Sequence, residues 1–123
     1  MKKAHLLMSA VIVIIVALMY GGNPSKILPL VFDFKVEDLE LKNIFRAIMG
    51  LYLGFAFLWV LGAVKEIYWK VATLSNVIFM GGLAVGRFLS FVLDGLSYQY
   101  LSGFILELFF MSWGVYNLKK IKE

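Results

Sequence analysis

The sequence predicts an all-α fold: an integral membrane bundle of four helices in up-down-up-down order, with both termini in the cytoplasm. Of the 123 residues, 62% are hydrophobic, whereas soluble domains contain about 45–50% apolar residues. A chain this short cannot hide such an excess in its own core. Four apolar stretches of about 20 residues, the length of a membrane span, use nearly the whole chain, and lysines cluster at their ends.

The composition also bounds the domain organisation and the partners. Four spans leave no room for a separate soluble domain, so we expect one transmembrane domain over residues 1–123. The chain has no cysteine and one histidine, which excludes disulfides and cysteine-ligated metals and predicts no cofactor. The net charge is +4 and the pI 9.4. Because the lysines lie at span ends, this charge indicates topology, with membrane lipids and not nucleic acid as partners.

The first predicted span, residues 4–20, follows Lys2 and Lys3. It could be mistaken for a signal peptide, but Gly-Gly-Asn-Pro is a poor cleavage site, so we expect an uncleaved span. The two lysines then hold the N-terminus in the cytoplasm. His5 is expected at the membrane interface.

Residues 21–42 form the one long connection, which is predicted on the outer side. Gly21 to Pro24 ends the first helix. The apolar segment around Pro29 lies at the interface or dips between helices, and the acidic residues after it suit the start of the next helix through its dipole. The loop is either a plain interfacial connection or a lid over the polar residues of the bundle.

The second predicted span, residues 43–64, carries Arg46 one turn inside its start and a GxxxG motif at Gly50 and Gly54. Small residues let helix backbones approach closely in lipid, so the motif indicates helix packing. Arg46 either snorkels to the headgroups or joins a polar site deeper in the bundle.

The third and fourth predicted spans, residues 69–93 and 98–118, are joined by a short turn. The basic and aromatic residues at 65–70 and the lysines after 118 are typical of a cytoplasmic interface. Seven lysines fall on the predicted cytoplasmic side and three in the outer loop. This difference indicates that both termini lie inside.

Arg87, Ser90 and Asp94 are spaced i, i+3 and i+7 in the third span, which places them on one helix face. Asn76 falls on the same face. An arginine at the centre of a membrane helix costs about 2.5–3.5 kcal/mol, so Arg87 needs a partner. It lies about 10 Å from the outer end and Glu107 about 13 Å. Because their helices are antiparallel neighbours, we expect Arg87 and Glu107 to touch.

Two main interpretations of these polar residues stay open. In the first, they form an outward-facing site for a lipid headgroup or small amphipathic ligand, for which two arginines suit an anionic group. In the second, the chain is a structural or accessory subunit that binds partner membrane helices or another copy, and the ion pair fixes helix register. A proton relay through Glu107 is a third possibility. No nucleophile–base pair, metal set or phosphate loop indicates an enzyme. The candidate ligand-binding residues are Asn43, Arg46, Asn76, Arg87, Ser90, Asp94 and Glu107.

The Arg-Ala-x-x-Gly pattern from Arg46, the Gly-Arg-x-x-Ser-x-x-x-Asp-Gly pattern from Gly86 to Gly95, and Glu107 resemble a family of small bacterial four-span proteins. This family is catalogued as domain of unknown function number forty-three forty-five. The resemblance covers most of the chain and implies a four-helix bundle in the cytoplasmic (inner) membrane of a bacterium, without a known activity. It marks as the family's polar positions Arg46, Arg87, Ser90, Asp94 and Glu107. In size and layout the chain is also similar to DoxX-like four-span proteins, which suggests a quinone ligand or an oxidoreductase-accessory role.

Overall fold

The computed structural model describes residues 2–32 and 34–122. Over these residues the fold is all-α, as predicted, with five α-helices and no strand. A short 3₁₀ turn, Glu66–Tyr68, joins the third helix to the fourth. The α-helices are α1 (Lys2–Gly21), α2 (Pro24–Phe32), α3 (Leu39–Val64), α4 (Trp69–Asp94) and α5 (Tyr98–Lys122).

Four of these helices, α1, α3, α4 and α5, are long and apolar enough to cross a membrane. Their outward faces carry large apolar side chains, among them Phe57, Ile78 and Val92, each of which is at least 65% exposed. A soluble protein rarely leaves so much contiguous apolar surface in water. Such a surface is typical of a helix bundle surrounded by lipid.

The connection between the first two long helices contains a helix that the sequence analysis did not predict. Asn23 directly precedes α2, and its carbonyl accepts the backbone N–H groups of Lys26 and Ile27 at 3.1 and 2.9 Å. Proline is favoured at the first helical position, which Pro24 occupies. Pro29 lies inside this helix of nine residues, where it removes one backbone hydrogen bond, and the helix continues past it.

Contacts along the long helices fix their relative directions. α1 packs mainly on α3, α4 mainly on α5, and α3 also contacts α4. In each pair, low residue numbers on one helix meet high numbers on the other, so the paired helices run antiparallel. The contacting residues include Leu6 with Gly62, Tyr20 with Tyr52, Trp59 with Ser75, Tyr52 with Phe79, Val77 with Gly114, and Phe91 with Phe104.

Small side chains let the first three long helices approach closely. Ala10, Ala56 and Ala72 are almost completely buried. At Gly62 an added Cβ would overlap the Cβ of Ala72. Trp59 is fully buried beside this contact and its indole N–H donates to the Ser75 hydroxyl at 3.1 Å. The tightly packed half of the bundle therefore lies between α1, α3 and the first half of α4.

Candidate functional site

Arg87 on α4 and Glu107 on α5 form an ion pair between the two helices. The Arg87 Nε–H group donates to both carboxylate oxygens, at 2.8 and 3.0 Å. The side chains are 19% and 9% exposed, respectively. Both charged groups are largely buried. Each side chain therefore compensates the charge of the other.

The helix pattern explains why these two residues meet. The buried stripe of α4 runs through Asn76, Met80 and Ala84, and Arg87 continues it three residues later. On α5, Glu107 and Phe110 are three residues apart and both buried. The two stripes face each other where α4 and α5 pack together.

Aromatic side chains connect this ion pair to α2. The Arg87 guanidinium carbon lies 5.1 Å from the centre of the Tyr100 ring, within the range of a cation–π contact. Tyr100 in turn stacks on Phe32, the last residue of α2, with ring centroids 4.8 Å apart and planes 7° apart. Phe32 also stacks on Tyr20 of α1 at 6.0 Å. The end of α2 thus lies against the same group of residues as the ion pair.

A cavity of about 210 Å³ lies beside the ion pair. Most of its wall is apolar, with side chains from α1, α4 and α5 such as Val16, Leu83 and Leu106. Its polar wall contains the ion pair and the uncharged side chains of Tyr20, Tyr52, Gln99, Tyr100 and Ser102. Among the described residues, Arg87 and Glu107 are the two charged members of the lining. An apolar chamber with a few polar groups at one side is the usual form of a small-molecule site.

Comparison with known proteins places the chain in a family. The model of the family described as Domain of unknown function (DUF4345) matches residues 1–118. The chain belongs to this family. No curated protein and no solved structure matches it, and the similarity to DoxX-like proteins suggested by size and layout is not shown by these comparisons.

Arg46 lies apart from the ion pair in this DUF4345 chain. Its Nη1 group donates to the carbonyl of Gly21, the last residue of α1, at 3.1 Å. The C-terminal carbonyls of a helix lack partners within the helix, and a cation near them is favourable. Arg46 does not line the cavity beside Arg87, so the structure does not bring the two arginines together.

Ser90 and Asp94 are not brought into contact with Glu107 either. The Ser90 hydroxyl donates to an Asp94 carboxylate oxygen at 3.2 Å, and both side chains are exposed. The inward stripe of α4 passes from Arg87 to Phe91, whose ring contacts Phe104 on α5 at 5.6 Å. Ser90 therefore lies beside this inward-facing stripe of α4 and not within it. It borders a shallower cleft between α3 and α4 that Arg87 also lines.

Asn43 and Asn76 lie in different surroundings again. Asn43 is exposed and borders a shallow depression near the start of α3. Asn76 is fully buried, about 16 Å along α4 from Arg87 at 1.5 Å per residue. Of the seven candidate residues, the structure joins Arg87 and Glu107, with Ser90 nearby, and leaves the other four elsewhere.

The sequence analysis of this DUF4345 chain missed the aromatic residues of the site. Tyr100, Gly103, Glu107 and Phe110 are spaced i, i+3, i+7 and i+10 on α5, and all four line the cavity. This is the same helical spacing that singled out Arg87, Ser90 and Asp94. Applied to α5, it would have found Tyr100. No sequence signal pointed to Phe32, because its position depends on the helix α2.

A second set of buried polar side chains lies about two turns further along α5. The His5 Nε2–H group donates to the carbonyl of Phe110 at 2.9 Å, and His5 is fully buried. His5 was expected at the membrane interface; it lies near the start of α1, and its side chain packs inside the bundle against α5. The ring fits against α5 because residue 114 is glycine, where an added Cβ would come within 3.0 Å of it. Polar atoms without a hydrogen-bonding partner among the described residues occur here on His5, Ser9, Thr73, Asn76 and Asn117.

Proposed function

We propose that this protein spans the cytoplasmic membrane of a bacterium and binds the polar end of a lipid or other small amphiphile in the cavity beside Arg87 and Glu107. The four long helices cross the bilayer in alternating directions, with both termini in the cytoplasm. Seven lysines then flank the inner ends and three lie in the outer segment, in agreement with the positive-inside rule. The ion pair lies in the outer half of the bundle.

The single observation that supports binding most strongly is the placement of an apolar cavity directly against the ion pair. A register-fixing ion pair alone would be expected in a filled core, since an empty apolar volume loses packing contacts. The cavity, about 210 Å³, is smaller than the 300–1,000 Å³ typical of drug-sized ligands. A headgroup and the first part of a chain fit, and the rest of the chain would leave between the helices into the bilayer.

The proposed function is tested by filling the cavity. Val16 lines it, whereas Val11 lies on the outward face of the same helix and is 57% exposed. We expect the Val16→Phe variant to lose most of an amphiphile that co-purifies with the wild type, measured by mass spectrometry of extracted lipids per mole of protein. Val11→Phe is the matched control and should retain it. An equal amphiphile content in all three proteins would contradict the proposal.

The alternative function, a subunit that binds a partner membrane helix or a second copy, is favoured by a different observation. Gly50 and Gly54 face outward on α3, and no described atom outside α3 lies within 4 Å of a Cβ built at either position. A GxxxG face left open inside one chain is suited to close contact with another helix. Crosslinking of single cysteines at 50 or 54 between copies in membranes would support this alternative.

A further inference from the structure

The charges that line the cavity indicate the chemical class of its ligand. We infer that the amphiphile is electrically neutral and carries no formal charges, with hydroxyl or carbonyl oxygens on an apolar chain, as in an acylglycerol. This inference rests on the proposed function and deepens it. It departs from the sequence-based expectation that two arginines select an anionic group.

The number of cations at the site decides whether an anionic ligand would be compensated there. The expectation of an anionic ligand relied on Arg46 as a second arginine. Arg46 donates to the Gly21 carbonyl and does not line the cavity. Arg87 is therefore the one cation in the described lining, and Glu107 is the one anion. The lining has no net charge, so nothing in it compensates an added phosphate or carboxylate.

The closeness of the ion pair also bears on the class of ligand. Both Glu107 oxygens lie within 3.0 Å of the Arg87 Nε atom. An anionic headgroup that approached Arg87 would also approach this carboxylate, and like charges repel strongly where water is scarce. A zwitterionic headgroup would have to separate the pair before either of its charges found a partner. The closed pair therefore disfavours both classes of charged lipid.

The site also offers hydrogen bonds to a neutral group. A guanidinium has five N–H donors, and pairing through Nε leaves four on the terminal nitrogens outside that pair. Tyr20, Tyr52, Gln99 and Ser102 also line the cavity, and their uncharged hydroxyl and amide groups belong to types that both donate and accept hydrogen bonds. Hydroxyl and carbonyl oxygens can use these groups without bringing charge into the cavity.

The test compares lipids that have identical chains and different headgroups. Full-length protein in detergent would be given dioleoylglycerol, dioleoylphosphatidate and dioleoylphosphatidylethanolamine, each in radiolabelled form, and bound dioleoylglycerol would be displaced by each unlabelled lipid. We expect saturable binding of dioleoylglycerol and at least about tenfold weaker displacement by each phospholipid, a difference that corresponds to about 1.4 kcal/mol.

Substitution of the carboxylate provides a second arm. Glu107→Gln leaves Arg87 uncompensated, and we expect phosphatidate to become the better competitor by about tenfold. Asp94→Asn removes a carboxylate seven residues from Arg87 that is exposed and bonded to Ser90, so it should keep the wild-type order. The wild-type comparison decides the inference even when the Glu107→Gln protein does not fold.

The outcomes separate the inference from the proposed function. Saturable binding in which either phospholipid competes as well as or better than dioleoylglycerol would overturn the inference and leave the amphiphile site standing. The absence of saturable binding of any of the three lipids would overturn the proposed function itself.

Discussion

At the scale of single residues, the contact between Arg87 and Glu107 matters most, because each side chain compensates the charge of the other. Removing one partner of a largely buried ion pair leaves an unpaired charge, and the cost is typically about 3–5 kcal/mol. These side chains are 19% and 9% exposed, which places the expected cost toward the lower end of that range. We therefore expect Arg87→Gln or Glu107→Gln to lower the free energy of unfolding by roughly 3 kcal/mol.

A double-mutant cycle measures whether the two residues act as a pair. The Arg87→Gln/Glu107→Gln protein should be destabilised by less than the sum of the single variants, with a coupling free energy of at least about 1 kcal/mol. Unfolding in mixed micelles with increasing dodecyl sulfate provides the measurement. Ser90→Ala is the control, because its exposed contact with Asp94 is worth less than about 1 kcal/mol. Additive single effects would show that the pair is not coupled.

At the residue scale, the sequence predicted the contact between Arg87 and Glu107 but not the surroundings of the other candidate residues. Arg87 and Glu107 were matched by both depth and helix adjacency, and the structure joins them. Asp94 was assigned to the site by helical spacing and by its depth, without a named partner on a neighbouring helix, and it lies exposed at the end of α4. Arg46 could not be placed from sequence because its partner, the Gly21 carbonyl, is a backbone group that every residue carries.

At the scale of secondary-structure elements, two glycines in α3 test how the helices pack. A Cβ at Gly62 would overlap the Ala72 Cβ of α4, whereas a Cβ at Gly54 would meet no described atom outside α3 within 4 Å. We expect Gly62→Ala to destabilise the protein by about 1–3 kcal/mol through overpacking. Gly54→Ala should be neutral or stabilising by up to about 1 kcal/mol, because alanine is the better helix former. Unfolding in micelles compares the two, and equal effects would contradict the packing described.

The short helix α2 provides the second element-scale prediction. Its contacts near the site include the stacks of Phe32 on Tyr100 and on Tyr20, and an aromatic pair contributes about 0.5–1.5 kcal/mol beyond its buried area. We expect Phe32→Ala to speed amide hydrogen exchange in residues 24–32 by up to about tenfold, with α1 unchanged. Phe57→Ala, at an outward position that is 70% exposed, should leave exchange in this segment at the wild-type rate. Unchanged exchange in Phe32→Ala would show that the stacks do not hold α2.

The positions of the long helices were easier to predict from sequence than the total number of helices. The four long apolar stretches were visible as continuous runs, and four helices of membrane-spanning length occur over them. α2 was missed because the apolar segment around Pro29 was assigned to the interface or to a dip between helices, whereas a helix of nine residues continues past this proline. The segment 21–42, for which a lid and a plain connection were left open, contains a helix whose last residue, Phe32, stacks on Tyr100.

At the scale of the whole molecule, the proposed orientation in the membrane can be tested because the chain has no cysteine. Single cysteines at Ser25 and Lys120 would occupy exposed positions near opposite ends of the bundle. We expect a membrane-impermeant maleimide to label position 25 in intact spheroplasts and position 120 after permeabilisation. The positive-inside distribution of lysines is the physical reason. Labelling of position 120 in intact spheroplasts would show that the orientation is opposite to the one proposed.

The whole molecule also shows why composition could predict the class but not the site. An apolar content of 62% exceeds what a small soluble domain can bury, whatever the order of the residues. The cavity, in contrast, depends on how α1, α4 and α5 pack beside Arg87, which is decided by side-chain volumes at many contacts. Its aromatic wall, formed by Tyr20, Tyr52 and Tyr100, comes from three separate helices.

The central claim is that an uncharged amphiphile occupies the cavity beside the ion pair, and photolabelling tests it most directly. The purified protein would be irradiated with a dioleoylglycerol analogue that carries a diazirine near the glycerol, and the labelled residues would be located by tandem mass spectrometry. The account predicts labels concentrated on Val16, Leu83 and Leu106, which line the cavity, and lost when unlabelled dioleoylglycerol competes. Labels spread over outward residues such as Phe57 and Ile78, without competition, would contradict it.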